Sequence, residues 1–513
     1  MLANRSGPSP GQLTEEVTSM MTTYLTVAIP YVNASPHLGY AYELVEADVY
    51  ARSRRAGGDR VRFLGGTDDY SLKNVLAAEK AGVPTAAFVN ANAERFAQLA
   101  GPLDLSFDDY IKTSSDARHA PAVERLWRAC ASRGDLYKRS FEGSYCVGCE
   151  AFYEPDELID NCCPEHHTRV ETVAEENWFF RLSAYQDHIE TLISSDELLV
   201  SPKAFKNEVL AFIRGGLSDI SVSRSASRAR GWGLVVPDDP SQVVYVWFDA
   251  LASYISALEF GDEVSPAYDK WWVRSDERIH LIGKGILRFH AVYWPAFLAS
   301  AGQRLPTRIQ VHPYLTVGGA KLAKSTGDVV DPSAIVDAYG TDALRWWFAR
   351  EVGAIADTDF TPARLVARAN EDLANGLGNL VNRVVSLVHR YRGGEVPPGE
   401  IETDAELREL KARVGRAIAD FDLRAGTRLV CDAVAILNRE IEGARPWAIA
   451  KEVGPQAVSR LDSLLARYIA GARAIAGAAA PFVPGLSSQL LEQLGSSSRV
   501  PAPHPVFVRI EGP

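Results

Sequence analysis

At 513 residues the chain is long for one domain and fits two or three. Its 47% hydrophobic and 23% charged residues are ordinary for a soluble globular protein, and a net charge of −11 excludes bulk basicity as a route to nucleic acid. Any RNA contact must therefore be a local patch on an acidic surface. No apolar run reaches the roughly 18 residues of a membrane helix, and the alanine-rich stretch near the C-terminus is broken by Arg467 and Arg473. The first twenty or so residues, with Pro8, Pro10, Glu15 and Glu16, lack a signal-peptide core and read as a disordered extension. Four of the six cysteines lie between Cys146 and Cys163. That clustering points to a metal site in a reducing compartment, the cytoplasm, rather than to a disulfide framework.

Residues 24–29 are β-branched and apolar, the composition of a buried strand. Pro30, Asn33 and Pro36 break that pattern, and residues 37–55 read as a helix opening on His37, Leu38 and Gly39. A strand, a turn and a helix start make an anion site, because unpaired N–H groups and the positive end of the helix meet there. Residues 60–65 read as a second strand ending in Gly65-Gly-Thr-Asp-Asp-Tyr-Ser71, where Asp68 is either a helix cap or a partner for an ammonium group. Helical patterns cover residues 84–103 and 117–132.

An inserted module follows. Cys146-Val-Gly-Cys149 and Cys163-Pro-Glu-His166 are two two-ligand knuckles that together close a four-ligand, structural zinc shell. Cys162 and His167 stand beside these ligands and leave the register open. Residues 243–246 read as a strand returning to the sheet and residues 278–282 as another. Trp247, Ala250, Tyr254, Phe289, His290 and Trp294 fall at helical spacing, as packing or as a pocket wall. Downstream, Gly319-Ala-Lys-Leu-Ala-Lys-Ser-Thr-Gly-Asp328 sets Lys321 and Lys324 in a glycine-flanked loop suited to neutralising phosphate, and Asp331-Pro332 opens a fresh helix. From residue 361 to about 494 strand signals vanish and helical spacing predominates. Arg364, Arg368, Arg383, Arg390 and Arg392 gather at its start.

On these motifs the chain resembles the class I aminoacyl-tRNA synthetases, and within them the methionyl-tRNA synthetase family, from about residue 24 to about residue 480. Pro36-His-Leu-Gly-Tyr40 stands where that family carries its HIGH signature, and Lys321-Leu-Ala-Lys-Ser325 where it carries KMSKS. The resemblance implies an α/β protein: a Rossmann-like parallel-sheet catalytic domain (residues 24–133 and 234–330) split by a zinc-binding insertion (134–233). A lysine-loop region (331–360), an α-helical anticodon-binding bundle (361–495) and a tail (496–513) would follow. It implies that Pro36, His37, Gly39, Tyr40, Lys321, Lys324 and Ser325 meet ATP, with His37, Tyr40, Lys321 and Lys324 catalytic. Ile29, Tyr31, Asp68, Trp247, Ala250, Tyr254, Phe289, His290 and Trp294 would enclose methionine, whose polarizable sulfur suits aromatic walls. Cys146, Cys149, Cys163 and His166 would hold zinc, and Arg390 and Trp447 would meet the anticodon.

Several positions depart from the family pattern. Tyr40 replaces the second histidine of HIGH. Asp69-Tyr70-Ser71 stands where Glu-His-Gly is usual, Gly285 where an aspartate near the nucleotide or its Mg²⁺ is usual, and Leu322 and Ala323 alter the lysine loop. All lie around ATP. The implied activity is methionine–tRNA ligation with ATP, Mg²⁺ and structural Zn²⁺, methionine and tRNA(Met) as partners, no membrane, and a monomer. The departures keep open a paralogue that adenylates an amino acid for another acceptor, and a tRNA-binding protein without activity. A nucleotidylyltransferase shares the HxGH turn but not the zinc insert and bundle.

Overall fold

The computed structural model describes residues 20–146, 151–153, 157–164, 167–318, 320–321, 330–398, 405–495 and 498–512. Six parallel strands form its central sheet: β1 (Thr22–Val27), β2 (Arg60–Thr67), β3 (Asp109–Lys112), β4 (Leu199–Ser201), β5 (Glu277–Gly283) and β6 (Arg308–His312), in the spatial order β3-β2-β1-β5-β6-β4. Strand order reverses between β1 and β5. In an open α/β sheet the crevice outside the carboxyl ends at that reversal is where ligands bind.

Alternate residues of each strand serve opposite faces, as strand geometry requires. Leu25, Phe63 and Leu281 join one apolar cluster, while Tyr24, Leu64 and Ile282 join the other. The first cluster is shared with the C-terminal helices. Helix α1 (Leu38–Ala56) lies between sheet and bundle, and from Tyr40 to Ala51 every residue is buried. A helix covered on all sides must pair its charges internally. Asp48 meets Arg345 at 2.8 Å, and Glu43 meets His312 at 2.9 Å.

The stretch expected as an insertion is mostly antiparallel. Its long hairpin, Leu136–Cys146 against Glu171–Phe180, is flanked by Ala151–Tyr153 and Ile220–Ser221. Within that stretch, however, β4 pairs with β6 of the central sheet. The strand expected at residues 243–246 does not rejoin that sheet. Asp239–Val244 instead pairs antiparallel with Val235–Val236 and Ser223–Ser225, and a helix starts at Val246. A short apolar run fits any buried sheet, so its composition could not tell which one.

C-terminal to residue 361 the long elements are helices, as read from the sequence: Asn379–Arg392, Ala405–Ala419, Leu423–Ala444 and Pro455–Ala479 are the longest. Tyr50 of α1 stacks on Phe421 at 4.7 Å, so bundle and sheet share packing. The described part of the tail runs back over the bundle. Asn370 exchanges two 2.8 Å hydrogen bonds with the Ile510 backbone, and Val500 is buried.

Glu46 has no full partner inside this core. Its Oε2 bonds to nothing, and Tyr42, Glu43, His312 and Arg308 are its polar surroundings. Burial is the largest influence and pushes its carboxyl from 4.5 up to about 7. Between those values the native chain keeps a proton that the unfolded chain has released, so stability from this group falls as pH rises through that window. Glu46→Gln removes the titration. Relative to the parent it is expected to gain about 3 kcal/mol between pH 5 and pH 8 in urea unfolding, whereas a difference independent of pH would show that Glu46 does not titrate there.

Candidate active site

His37 caps α1. Its Nδ1 accepts the Tyr40 N–H at 3.2 Å, so the neutral ring carries its proton on Nε2. The first turn leaves the N–H groups of Leu38 and Gly39 without an intrahelical partner. A Cβ at position 39 would stand 3.1 Å from His37 Nδ1, so glycine there gives the capping ring its room as well as opening the backbone. Pro36 is buried beside it. Tyr40 turns into the core instead. It is 6% exposed, its ring is 5.4 Å from Phe96, and burial raises its hydroxyl far above the ordinary tyrosine range. The phenol at this motif position packs its ring on Phe96 and turns its hydroxyl toward Tyr110 and Glu43.

Beyond β1 the backbone of Tyr31 bridges to Asp68 at the end of β2, and the Asp68 N–H donates to Pro30 at 3.0 Å. The two strand ends therefore bring Ile29, Tyr31 and Asp68 together. Gly66 permits the approach, since a Cβ there would meet Ile29 at 2.9 Å and the Ile111 carbonyl at 2.6 Å. Asp68 is 2% exposed and its neighbours hold the loop rigid. Asn74 Nδ2 donates to the carbonyls of both Asp68 and Asp69. The Asp69 carboxylate accepts from Ser114 N–H and Oγ, and Ser71 caps the next helix through Lys73 N–H. Each residue of the Asp69-Tyr70-Ser71 departure thus has a local contact: Tyr70 lies 5.5 Å from Trp232, whose Nε1–H donates to the Asp69 carbonyl at 2.7 Å.

The aromatic residues do form one wall. Trp247 stacks face to face on Phe289 at 3.7 Å and stands 6.5 Å from Tyr31. Tyr254 and His290 meet at 2.7 Å, and Trp294 lies behind Tyr254. Ala250 is buried on the helix Val246–Ser256 with them. Phe289–Tyr293 is a π-helical turn, a wide turn frequent at functional sites, which supplies Phe289 and His290.

His280, in β5, is a residue the sequence reading missed. The Trp294 indole can only donate, so His280 Nε2 accepts at 3.1 Å and its Nδ1–H points to Thr26 Oγ1 at 2.6 Å. The same logic applies to His290, whose Nδ1–H faces the Ile286 carbonyl at 3.0 Å while Nε2 accepts from Tyr254. Burial depresses both imidazoles, His290 to about 4. The wall is neutral at physiological pH. A histidine amid the apolar run of a strand was the available signal.

At the end of β5, Lys284 is held by both oxygens of Asp357 at 2.8 and 2.9 Å, beside Gly285. The hairpin after β6 pairs Leu315–Val317 with Ala320–Lys321 in a small separate sheet that also takes Thr358–Asp359, next to the Asp357 that holds Lys284. Lys324 and Ser325 lie outside the described residues, as do Cys149 and His166. Cys146 and Cys163 are buried around Thr168: Cys146 Sγ is 3.9 Å from its Oγ1, and the Cys163 N–H donates to its carbonyl at 2.9 Å. Cys162 is half-buried and His167 exposed. Both thiols are soft donors of the kind zinc takes, and Cys163 Sγ lies 3.5 Å from the Tyr153 hydroxyl. Among the described residues no three metal-ligating side chains converge.

In the bundle, Arg364, Arg368, Arg383 and Arg392 are engaged by carboxylates. Arg390 is exposed with no carboxylate partner among the described residues, and Trp447 is 39% exposed.

A family model described as tRNA synthetases class I (M) matches residues 23–172 and 167–385. A protein of Mesorhizobium japonicum named methionine–tRNA ligase is 38% identical over 497 residues, 95% of this chain and 93% of that protein. The chain belongs to the methionyl class I tRNA synthetases. A second relative of the same name, from Mycobacterium bovis, is 39% identical over 490 residues, 93% of each chain. The Mycobacterium tuberculosis methionyl-tRNA synthetase in complex with methionyl-adenylate superposes on this synthetase with a TM-score of 0.88 and 36% identity, covering 96% of this chain and 100% of that one. The apo form of the same enzyme gives 0.83 at 34% identity, covering 96% and 99%.

Proposed function

We propose that the chain is a methionine–tRNA ligase. It would join methionine to ATP as methionyl-adenylate and pass the methionyl group to the 3′ end of tRNA(Met). The observation that carries this is the neutral aromatic wall of Tyr31, Trp247, Tyr254, Phe289, His290 and Trp294 beside the Asp68 carboxylate, at the strand-order reversal. An uncharged, polarizable wall suits a thioether, and a buried carboxylate suits an ammonium group.

In the first step the methionine carboxylate attacks the α-phosphorus and pyrophosphate leaves. In the second the terminal adenosine hydroxyl attacks the methionyl carbonyl and AMP leaves. No side chain is acylated, so the protein's part is to align two anions and offset developing charge. Asp68 orients the amino acid. The His37 Nε2–H and the N–H groups of Leu38 and Gly39 serve the phosphates, and the lysines 321 and 324 with Ser325 would add their charge and hydroxyl there. Tyr40 serves by packing α1 rather than by touching ATP, which its burial supports. Mg²⁺ would arrive with ATP, and Gly285 lends it no carboxylate. Zinc on Cys146, Cys149, Cys163 and His166 would fasten the insertion. Arg390 and Trp447 offer the bundle's cationic and stacking contacts to an anticodon. No helix among the described residues is long and apolar enough to cross a membrane. The reading makes the chain a monomer acting in the cytoplasm.

Exchange of labelled pyrophosphate into ATP with methionine, followed by charging of tRNA(Met), tests this. Both reactions are expected. Exchange without charging would favour a different acceptor, and neither reaction would leave a tRNA-binding protein.

A further inference from the structure

Trp232 belongs to none of the sites above, yet it touches the loop that carries Asp68. It lies near the end of the segment 226–233, which leaves the strand Ser223–Ser225. Strand and segment are tied to the insertion's long hairpin: Ser225 Oγ at the strand end donates to Glu175 at 3.0 Å, and Arg228 of the segment lies 3.6 Å from Glu171 and 4.0 Å from Glu175. At its other end the segment makes one contact with the helix that follows the Asp68 loop and one with that loop itself. Arg230 pairs with Glu79 on the helix Leu72–Ala81, and the Trp232 indole N–H donates to the Asp69 carbonyl at 2.7 Å. That carbonyl belongs to the residue next to Asp68, and Asn74 holds it from the opposite element at 2.9 Å.

We propose that Trp232 is a positioning residue: its indole N–H, carried in from the insertion, fixes the loop that aims Asp68 at the amino acid. The inference rests on the reading of Asp68 as the ammonium partner. The Arg230–Glu79 pair is about half exposed on both sides and contributes little by comparison. The indole bond is part-buried and directed at a carbonyl with one other donor, so its loss leaves the loop free to tilt.

The test is methionine-dependent pyrophosphate exchange on the full chain, with methionine and ATP varied separately. Trp232→Phe keeps an aromatic ring against Tyr70 and removes the donor. It is expected to raise KM for methionine about tenfold and to leave kcat and KM for ATP within about twofold, because only the ammonium site moves. Trp232→Leu should give the same selective rise, and Arg230→Met should not. An unchanged methionine KM in both Trp232 variants overturns the proposal. So does an equal rise in Arg230→Met, or a fall in kcat with both KM values constant, since either would mean general loosening of the segment. Asp68→Asn separates the two levels of inference. If it leaves methionine KM unchanged, the reading of the site itself fails. If it raises KM while Trp232→Phe does not, the tether alone is wrong.

Discussion

Asp68→Asn is expected to raise the methionine KM of pyrophosphate exchange by two to three powers of ten, with KM for ATP changed little. The carboxylate is 2% exposed, its loop is held at both carbonyls by Asn74, and its own N–H is tied to Pro30. Such a group cannot swing away, so the substitution removes the charge without rearranging its surroundings. An ammonium ion brought into that spot would lose its counter-charge after leaving water. Breaking a buried ion pair from one side costs roughly 3–5 kcal/mol, and the lower part of that range is the expected two to three powers of ten. A change below tenfold would mean that the amino group binds elsewhere. Because the chemistry lies at the phosphate, kcat at saturating methionine should fall far less than kcat/KM.

The second large effect concerns stability. Arg345 has no exposed surface, and it joins three parts of the molecule: Asp48 of α1 at 2.8 Å, the Leu103 carbonyl at 2.9 Å, and the Phe482 and Pro481 carbonyls of the bundle at 3.0 and 2.9 Å. Burial by itself would raise the Asp48 carboxyl, but Arg345, Arg52 and Ser106 together hold it below its ordinary value. Arg345→Met keeps most of the volume and deletes every one of the Arg345 bonds. The loss is expected to be about 3–5 kcal/mol, seen as a lower urea midpoint. On gentle heating, tRNA charging should fail before pyrophosphate exchange does, since the bundle is the part released. Unchanged stability would mean that packing alone joins bundle and sheet.

The strand at residues 24–29 was legible because a parallel strand buried on both faces is mostly apolar, and that at 60–65 from Val61, Phe63 and Leu64. The first was found shifted by two residues, the second with its start as read and its end two residues later. The helix starting after His37 was legible from Pro36 and the glycine that follows. The route of residues 243–246 was not, because apolar composition does not choose a neighbouring strand. Nor was β4, three residues long within a stretch that otherwise serves another sheet. Among site residues, the aromatic wall was found through helical spacing and the resemblance. His280 was overlooked because a strand histidine gives no period of its own, and its task appears only when Thr26 and Trp294 are set on either side of it. Trp232 and Arg345 act across sequence separations of 163 and 242 residues, to the Asp69 and Leu103 carbonyls, which no local pattern can reveal.

One apolar cluster runs without interruption from Leu25 and Phe63 through α1 to Leu437 and Ile475. A hinge needs a seam where water can enter, and a continuous hydrocarbon interior supplies none. The span from the carboxyl edge of the sheet to the far end of the bundle is accordingly a fixed length. Under the proposed function it would act as a caliper: an RNA of the wrong bend would itself have to be deformed to touch both jaws.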